Sequence, residues 1–235
     1  MRFQTLRQQA YLLLRSKLVA GELPAGAPLT ETTLAKELGM SRTPIREAIR
    51  QMEMEGMVEY APRFGAVVRV PNQDELAEMY TVREALESYA AAEAARRITE
   101  TELGRLERLL ARMKEIEDEF VNGGDSRLDG KPLQRFLATD LEFHEIVVHA
   151  SGNRYMAKIL ESTRLLSRIF RSTLWIYDRA AVAQANQFHA RLFEALRQRD
   201  PEAARQCTIE AMQVSRRNAM ERRDDDVPDD GANVI

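Results

Sequence analysis

Two rhythms of apolar positions run along this chain of 235 residues. Leu6, Ala10, Leu13, Leu14 and Leu18 recur at the three-to-four-residue spacing of a buried helix face. Gly21, Pro24, Gly26 and Pro28 then break the pattern. A second helix is expected from the cap Thr30 through Leu34, Ala35 and Leu38 to a stop at Gly39. Ser41 caps a third, with Pro44 in its first turn and Ile45, Ala48, Ile49 and Met52 as its apolar stripe. After Gly56 the period shortens. Met57-Val58-Glu59-Tyr60 and Ala66-Val67-Val68-Arg69-Val70 flank a turn at 62–65, which predicts a β-hairpin.

From Gln73 onward only the helical period remains. Helices are expected over 73–97, 100–121, 132–150, 153–176, 179–198 and 201–222. Leu106, Leu109, Leu110, Met113, Ile116 and Phe120 form the stripe of the second of these. The run GGDSRLDGK at 123–131 reads as a loop, and 223–235 as a disordered acidic tail. The expected fold is therefore mostly α. It has an N-terminal winged helix-turn-helix with a small β-hairpin over 1–70 and a C-terminal all-α helical bundle over 71–222.

Composition sharpens this picture. Apolar residues make up 44% of the chain, enough for a sizeable core. The formal charge is −3, yet residues 1–70 carry ten Lys or Arg against seven Asp or Glu. The two parts thus differ in sign and are suited to different partners. Cys207 is the single cysteine, which excludes a disulfide framework and a multi-cysteine zinc site. No apolar run reaches the length of a membrane span, and the first residues lack the pattern of a signal peptide. A cytoplasmic protein with no membrane contact is expected.

Three short helices followed by a hairpin suit double-stranded DNA, because the third helix fits the major groove while the hairpin reaches the backbone or minor groove. Arg42, Arg46 and Arg50 lie at i, i+4 and i+8 along one strip of that helix. Arginine can bond guanine O6 and N7 bidentately or clamp a phosphate. Ser41 and Thr43 stand at the helix N-terminus, where hydroxyl and free N–H groups meet phosphates. Arg63 and Gly65 occupy the hairpin tip. One recognition helix covers a half-site, so a homodimer on a near-palindromic operator is expected. An amphipathic helix with a merely solvated charged face is the plain alternative.

The stretch 21–70, with LAKELGMSRTPIREAIRQMEMEGMV and the wing PRFGAVV, closely resembles the DNA-binding domain of the GntR family of bacterial transcription regulators. That resemblance implies DNA contacts at Arg42, Thr43, Arg46 and Gly65. The family usually has Arg where this chain has Thr32, so the contact made there by relatives is not carried over. Residues 73–220 resemble the all-helical effector domain of the FadR subfamily, through VREALESYAAAEAA, DLEFHEIVVHASGN and FHARLFEALRQRDPEAA. This implies a small organic acid, a carboxylate, as effector.

Asp140 and His144 at i, i+4 share a helix face and suit Zn, Mn or Ni. The resemblance adds His189 as a third ligand; metal-binding relatives use a fourth, a His, where this chain has Ala211. Cys207 lies one turn before Ala211 and reads as a core residue rather than a ligand. His149, about 140° around the helix from His144, is not a ligand of the same ion. A hydrogen-bonded Asp–His pair without metal is the alternative for the trio. Arg83, four residues before Glu87, reads either as a helix ion pair or as a grip on the effector carboxylate. Arg164 and Arg168 read as further anion contacts or as a solvated face, and Asn153 as a helix cap. The effector set is therefore Arg83, Asp140, His144 and His189. A metal-dependent enzyme on Asp140, His144 and His189 is the rival function. It lacks a separate general base, since Glu142 and Glu145 do not share the trio's face.

Overall fold

The computed structural model describes residues 4–174 and 177–221. In chain order these form α1 (Leu6–Val19), α2 (Glu31–Glu37), α3 (Arg42–Met54), β1 (Val58–Ala61), β2 (Gly65–Val68), α4 (Gln73–Arg97), α5 (Glu100–Gly123), α6 (Gly130–Ala150), α7 (Arg154–Leu174), α8 (Arg179–Arg197) and α9 (Pro201–Glu221). The tail expected to be disordered lies outside the described residues. Two compact units result among the described residues: 4–73 with 162–174, and 74–161 with 177–221. The chain is mostly α with one small antiparallel sheet, as expected.

In the first unit α1 opens on a reciprocal cap. The Gln8 N–H donates to Thr5 Oγ1 at 3.2 Å, and the Thr5 N–H to Gln8 Oε1 at 3.0 Å. Ala10, Leu14 and Leu18 turn inward, and α1 packs on α3. Its partners there are Ile45, Ala48, Ile49 and Met52, all fully buried. α3 stops where Gly56 takes φ 76 and the Met57 N–H donates to the Met52 carbonyl at 2.9 Å, a left-handed helix end that favours glycine. The hairpin pairs Val58 with Val68 and Ala61 with Gly65. The breaker-rich segment before α2 also joins it. Pro28 bridges Val67, and the Leu29 N–H donates to the Ala66 carbonyl at 2.7 Å. The hairpin therefore has a third, single-bridge edge.

In the second unit α5 packs on α6 and α8, and α8 on α9. Leu106, Met113, Ile116, Phe136, Phe143, Val182 and Leu196 lie in one core. Ala90, Val148, Met156 and Leu160 tie α4 to α6 and α7 in a smaller cluster. Two expected boundaries shift by two residues. α5 runs on to Gly123, ending at Gly124 with φ 81. α6 begins at Gly130 rather than 132, because the first turn of a helix has no use for the N–H that Pro132 lacks.

Candidate functional site

α3 presents its polar strip to solvent. Ser41, Arg42, Thr43, Arg46 and Arg50 are all exposed, as are Arg63 and Gly65. Ser41 is the N-cap by backbone conformation, and its side chain makes no capping hydrogen bond. At the hairpin tip Arg63 and Gly65 take φ 70 and φ 75, a tight reversal that turns Phe64 outward at 76% exposure. The local pattern singled out the neighbours of Phe64 but not Phe64 itself.

Glu31 is the other residue that the pattern passed over. It is the first residue of α2, and its carboxylate meets the arginine strip of α3. Arg46 donates to it twice, Nε to Oε1 at 2.8 Å and Nη2 to Oε2 at 2.8 Å. Arg42 Nη2 donates to the same Oε2 at 3.2 Å. The hydrogen bonds from Arg46 chiefly, then from Arg42, hold the Glu31 carboxyl down at about 2 against an ordinary value of 4.5.

In the helical unit α6 and α8 bring three ligand types together. Asp140 and His144 come from α6 and His189 from α8, with one ligand atom of each within 4.8 Å of the others. His189 Nε2 lies 3.1 Å from Asp140 Oδ1, His144 Nε2 lies 3.7 Å from the same oxygen, and the two Nε2 atoms are 3.3 Å apart. Ligands placed about 2.1 Å from one ion stand roughly 3.0 Å apart in an octahedron and 3.4 Å in a tetrahedron. Two of the three separations, 3.1 and 3.3 Å, fall in that range and the third, 3.7 Å, lies slightly above it, so the donor set fits a divalent ion. His189 Nδ1 is buried with no hydrogen-bond partner, so the ring's polar contacts lie on the Nε2 side. Phe143 packs edge-on against both imidazoles, at 5.8 Å from His144 and 4.9 Å from His189.

The remaining candidates separate. Cys207 Sγ lies 3.6 Å from the Phe188 carbonyl and donates to it. Burial, ahead of a weaker opposing pull from Arg191, pushes the thiol up. It is not part of the ligand group among the described residues. Arg83 is buried on α4. Its Nε donates to Glu87 Oε1 at 2.8 Å, and its guanidinium lies 5.4 Å from the centre of the Tyr80 ring. That is the helix ion pair of the plain reading, and it is buried. Asn153 caps α7 by accepting from the Met156 N–H at 3.0 Å. Arg164 is buried and lies in the stretch of α7 grouped with residues 4–73, whereas Asp140, His144 and His189 lie in the other unit. A separate groove of about 820 Å³, lined in part by Tyr89, Arg97, Asn153 and Tyr155, shares no residue with the trio.

A winged helix-turn-helix joined to an all-helical unit is the architecture of a DNA-binding transcription regulator. Residues 6–68 match the family described as "Bacterial regulatory proteins, gntR family", and residues 78–214 match the FCD domain. The chain belongs to the GntR family and carries an FCD domain. It is 30% identical over 198 residues to the uncharacterized HTH-type transcriptional regulator YdhC of Bacillus subtilis, covering 84% of each chain. It is also 30% identical over 204 residues to a probable D-xylose utilization operon transcriptional repressor of Paenarthrobacter nicotinovorans, covering 85% of this chain and 82% of that one. Among solved structures, Escherichia coli McbR/YncC shares the fold with a TM-score of 0.77 and 23% identity, over 94% of this chain and all of that one. The rival reading as a metal-dependent enzyme is set aside, because these relatives match over both units. No helix among the described residues is long and apolar enough to cross a membrane.

Proposed function

We propose that the chain is a ligand-responsive repressor that binds a near-palindromic double-stranded operator as a homodimer and changes its DNA affinity when a small carboxylate enters the helical unit. Relatives named as repressors include the probable one of the D-xylose utilization operon of Paenarthrobacter nicotinovorans and that of the galactonate operon of Escherichia coli. On the DNA side, Arg42, Arg46 and Arg50 on α3, Ser41 and Thr43 at its start, and Arg63 and Gly65 on the wing are the proposed contacts, supported by their shared exposure.

The convergence of Asp140, His144 and His189 carries the sensing half of this reading. A bound divalent ion would supply a Lewis-acid site for the carboxylate oxygens of the effector. Asp140 and His144 offer their donors from one helix face, His189 closes the set from α8, and Phe143 fixes both rings from behind. Arg83 is the proposed cation for the effector carboxylate, supported by its burial in the same unit.

A ligand shifts DNA affinity only by binding the DNA-competent and DNA-incompetent states unequally. Couplings of this kind run to about 1–3 kcal/mol, roughly 5–150-fold in operator affinity. The test is operator binding titrated with a panel of small carboxylates and sugar acids, with and without Zn, Mn or Ni. At least one acid should shift wild-type affinity within that range, and His189→Ala should blunt the shift while leaving ligand-free DNA binding intact. Metal-free wild-type protein with His144→Ala and His189→Ala responding normally would remove the metal from this reading.

A further inference from the structure

We propose that Glu31 is a positioning residue for DNA reading, holding Arg46 side-on so that the outer edge of its guanidinium is presented to a guanine. The inference rests on α3 being the recognition helix, as proposed above.

A guanidinium carries five N–H donors on two usable edges. Glu31 takes the Nε–Nη2 edge of Arg46, with both distances at 2.8 Å. The Nη1–Nη2 edge has the fork spacing that matches guanine O6 and N7. Each edge uses its own hydrogens, so one arginine can be gripped by protein and read a base together. The grip has a physical purpose. An arginine side chain has many rotamers, and fixing them before binding lowers the entropy lost at the interface. Arg46 stays 46% exposed while so held, so the clamp does not bury the reading group. Arg42 shares Glu31 Oε2 at 3.2 Å, a longer and single bond, which makes it the less constrained of the two.

The geometry sets a sign that mere charge does not. A carboxylate beside the DNA face repels phosphate, so its removal on electrostatic grounds alone strengthens binding to every sequence. Removal of a positioning group instead weakens the correct sequence relative to the rest. A latch that holds Arg46 away from DNA predicts a third outcome, stronger operator binding by more than the general gain.

The experiment uses the full chain and two probes: a duplex selected by the wild-type protein from a random pool, and a scrambled duplex of the same composition. Glu31→Gln keeps size and removes charge. It should bind the scrambled duplex at least as tightly as wild type. Its operator-to-scrambled ratio should fall at least fivefold and at most about 150-fold, the value of one bidentate base contact. Replacing one guanine per half-site with 7-deazaguanine should cost wild type more than it costs Glu31→Gln. In an Arg46→Ala background, Glu31→Gln should leave the ratio unchanged. Glu31→Asp retains the charge on a shorter arm. It should lose specificity while binding the scrambled duplex like wild type, and it serves as the second variant should Gln disturb folding. A ratio that is unchanged or raised in both variants overturns the inference while the recognition-helix reading stands. A ratio unaffected by Arg46→Ala overturns that reading, and the inference with it.

Discussion

Glu31 and Cys207 show how neighbours tune a single ionisable group in opposite directions. The Glu31 carboxyl is held at about 2 by hydrogen bonds from Arg46 and then Arg42. In the unfolded chain it returns to its ordinary value near 4.5. The folded carboxyl therefore binds its proton more weakly than the unfolded one, and the clamp's contribution is complete above pH 4.5. It is lost as pH falls through about 2. The carboxyl carbon signal of Glu31, followed by NMR, should stay flat down to about pH 3 in wild type and titrate near its ordinary value in an Arg42→Ala/Arg46→Ala double variant. Cys207 goes the other way, because burial disfavours its thiolate. At neutral pH it should react with a disulfide reagent only slowly in the folded protein and rapidly after denaturation. A fast phase in native buffer would contradict its burial.

At the scale of elements, the helices were legible where caps and stripes coincide. α3 is marked at both ends, by Ser41 and by the left-handed Gly56. The expected start of α6 falls two residues late, because Gly130 and Lys131 close a run, GGDSRLDGK, whose composition is that of a loop. The Pro28–Val67 bridge was hidden by the prolines and glycines around it, which signal interruption and not pairing. Of the ligand trio, spacing supplies Asp140 and His144, four residues apart on one helix. His189 stands on a different helix, and only resemblance to relatives pointed to it. Glu31 was out of reach for the same reason. Its partners Arg42 and Arg46 lie 11 and 15 residues away, and local periodicity does not report contacts between helices.

Two variants test elements directly. Phe143 is fully buried against the imidazoles of α6 and α8. Phe143→Ala should cost about 3–5 kcal/mol in urea denaturation. It should also weaken divalent-ion binding, since both rings lose the wall that orients them. On the wing, Arg63→Ala should reduce the slope of log affinity against log salt by about 0.9, because one released counterion is lost. Phe64→Ala at the adjacent exposed position should leave that slope unchanged. Equal slopes for wild type and Arg63→Ala would place Arg63 off the phosphates.

Across the whole chain, charge is divided as the two parts require. The first 70 residues have a basic excess within a molecule of net −3, so DNA attracts that part and repels the remainder. The helix-and-hairpin pattern and the unbroken helical period that follows it were both legible in sequence, and the change between them coincides with the change in charge sign. The membership of α7 was not legible. It is one helix from Arg154 to Leu174, yet residues 162–174 group with residues 4–73 and residues 154–161 with the second unit. A periodic stripe says which face of a helix is apolar and nothing about which body that face joins.

That shared helix limits how the protein can be taken apart. Regulators of this two-part plan invite cut-and-paste, in which the operator preference of one is grafted onto the sensing half of another by a single crossover in the linker. Here a crossover near residue 73 would leave residues 162–174 behind with the donor of the sensing half. A chimera made that way should show faster amide hydrogen exchange in α1 and α3 than the parent. One that also carries 162–174 from the DNA-reading parent should recover the parental protection. The unit of inheritance for operator choice is then two stretches of sequence, not one.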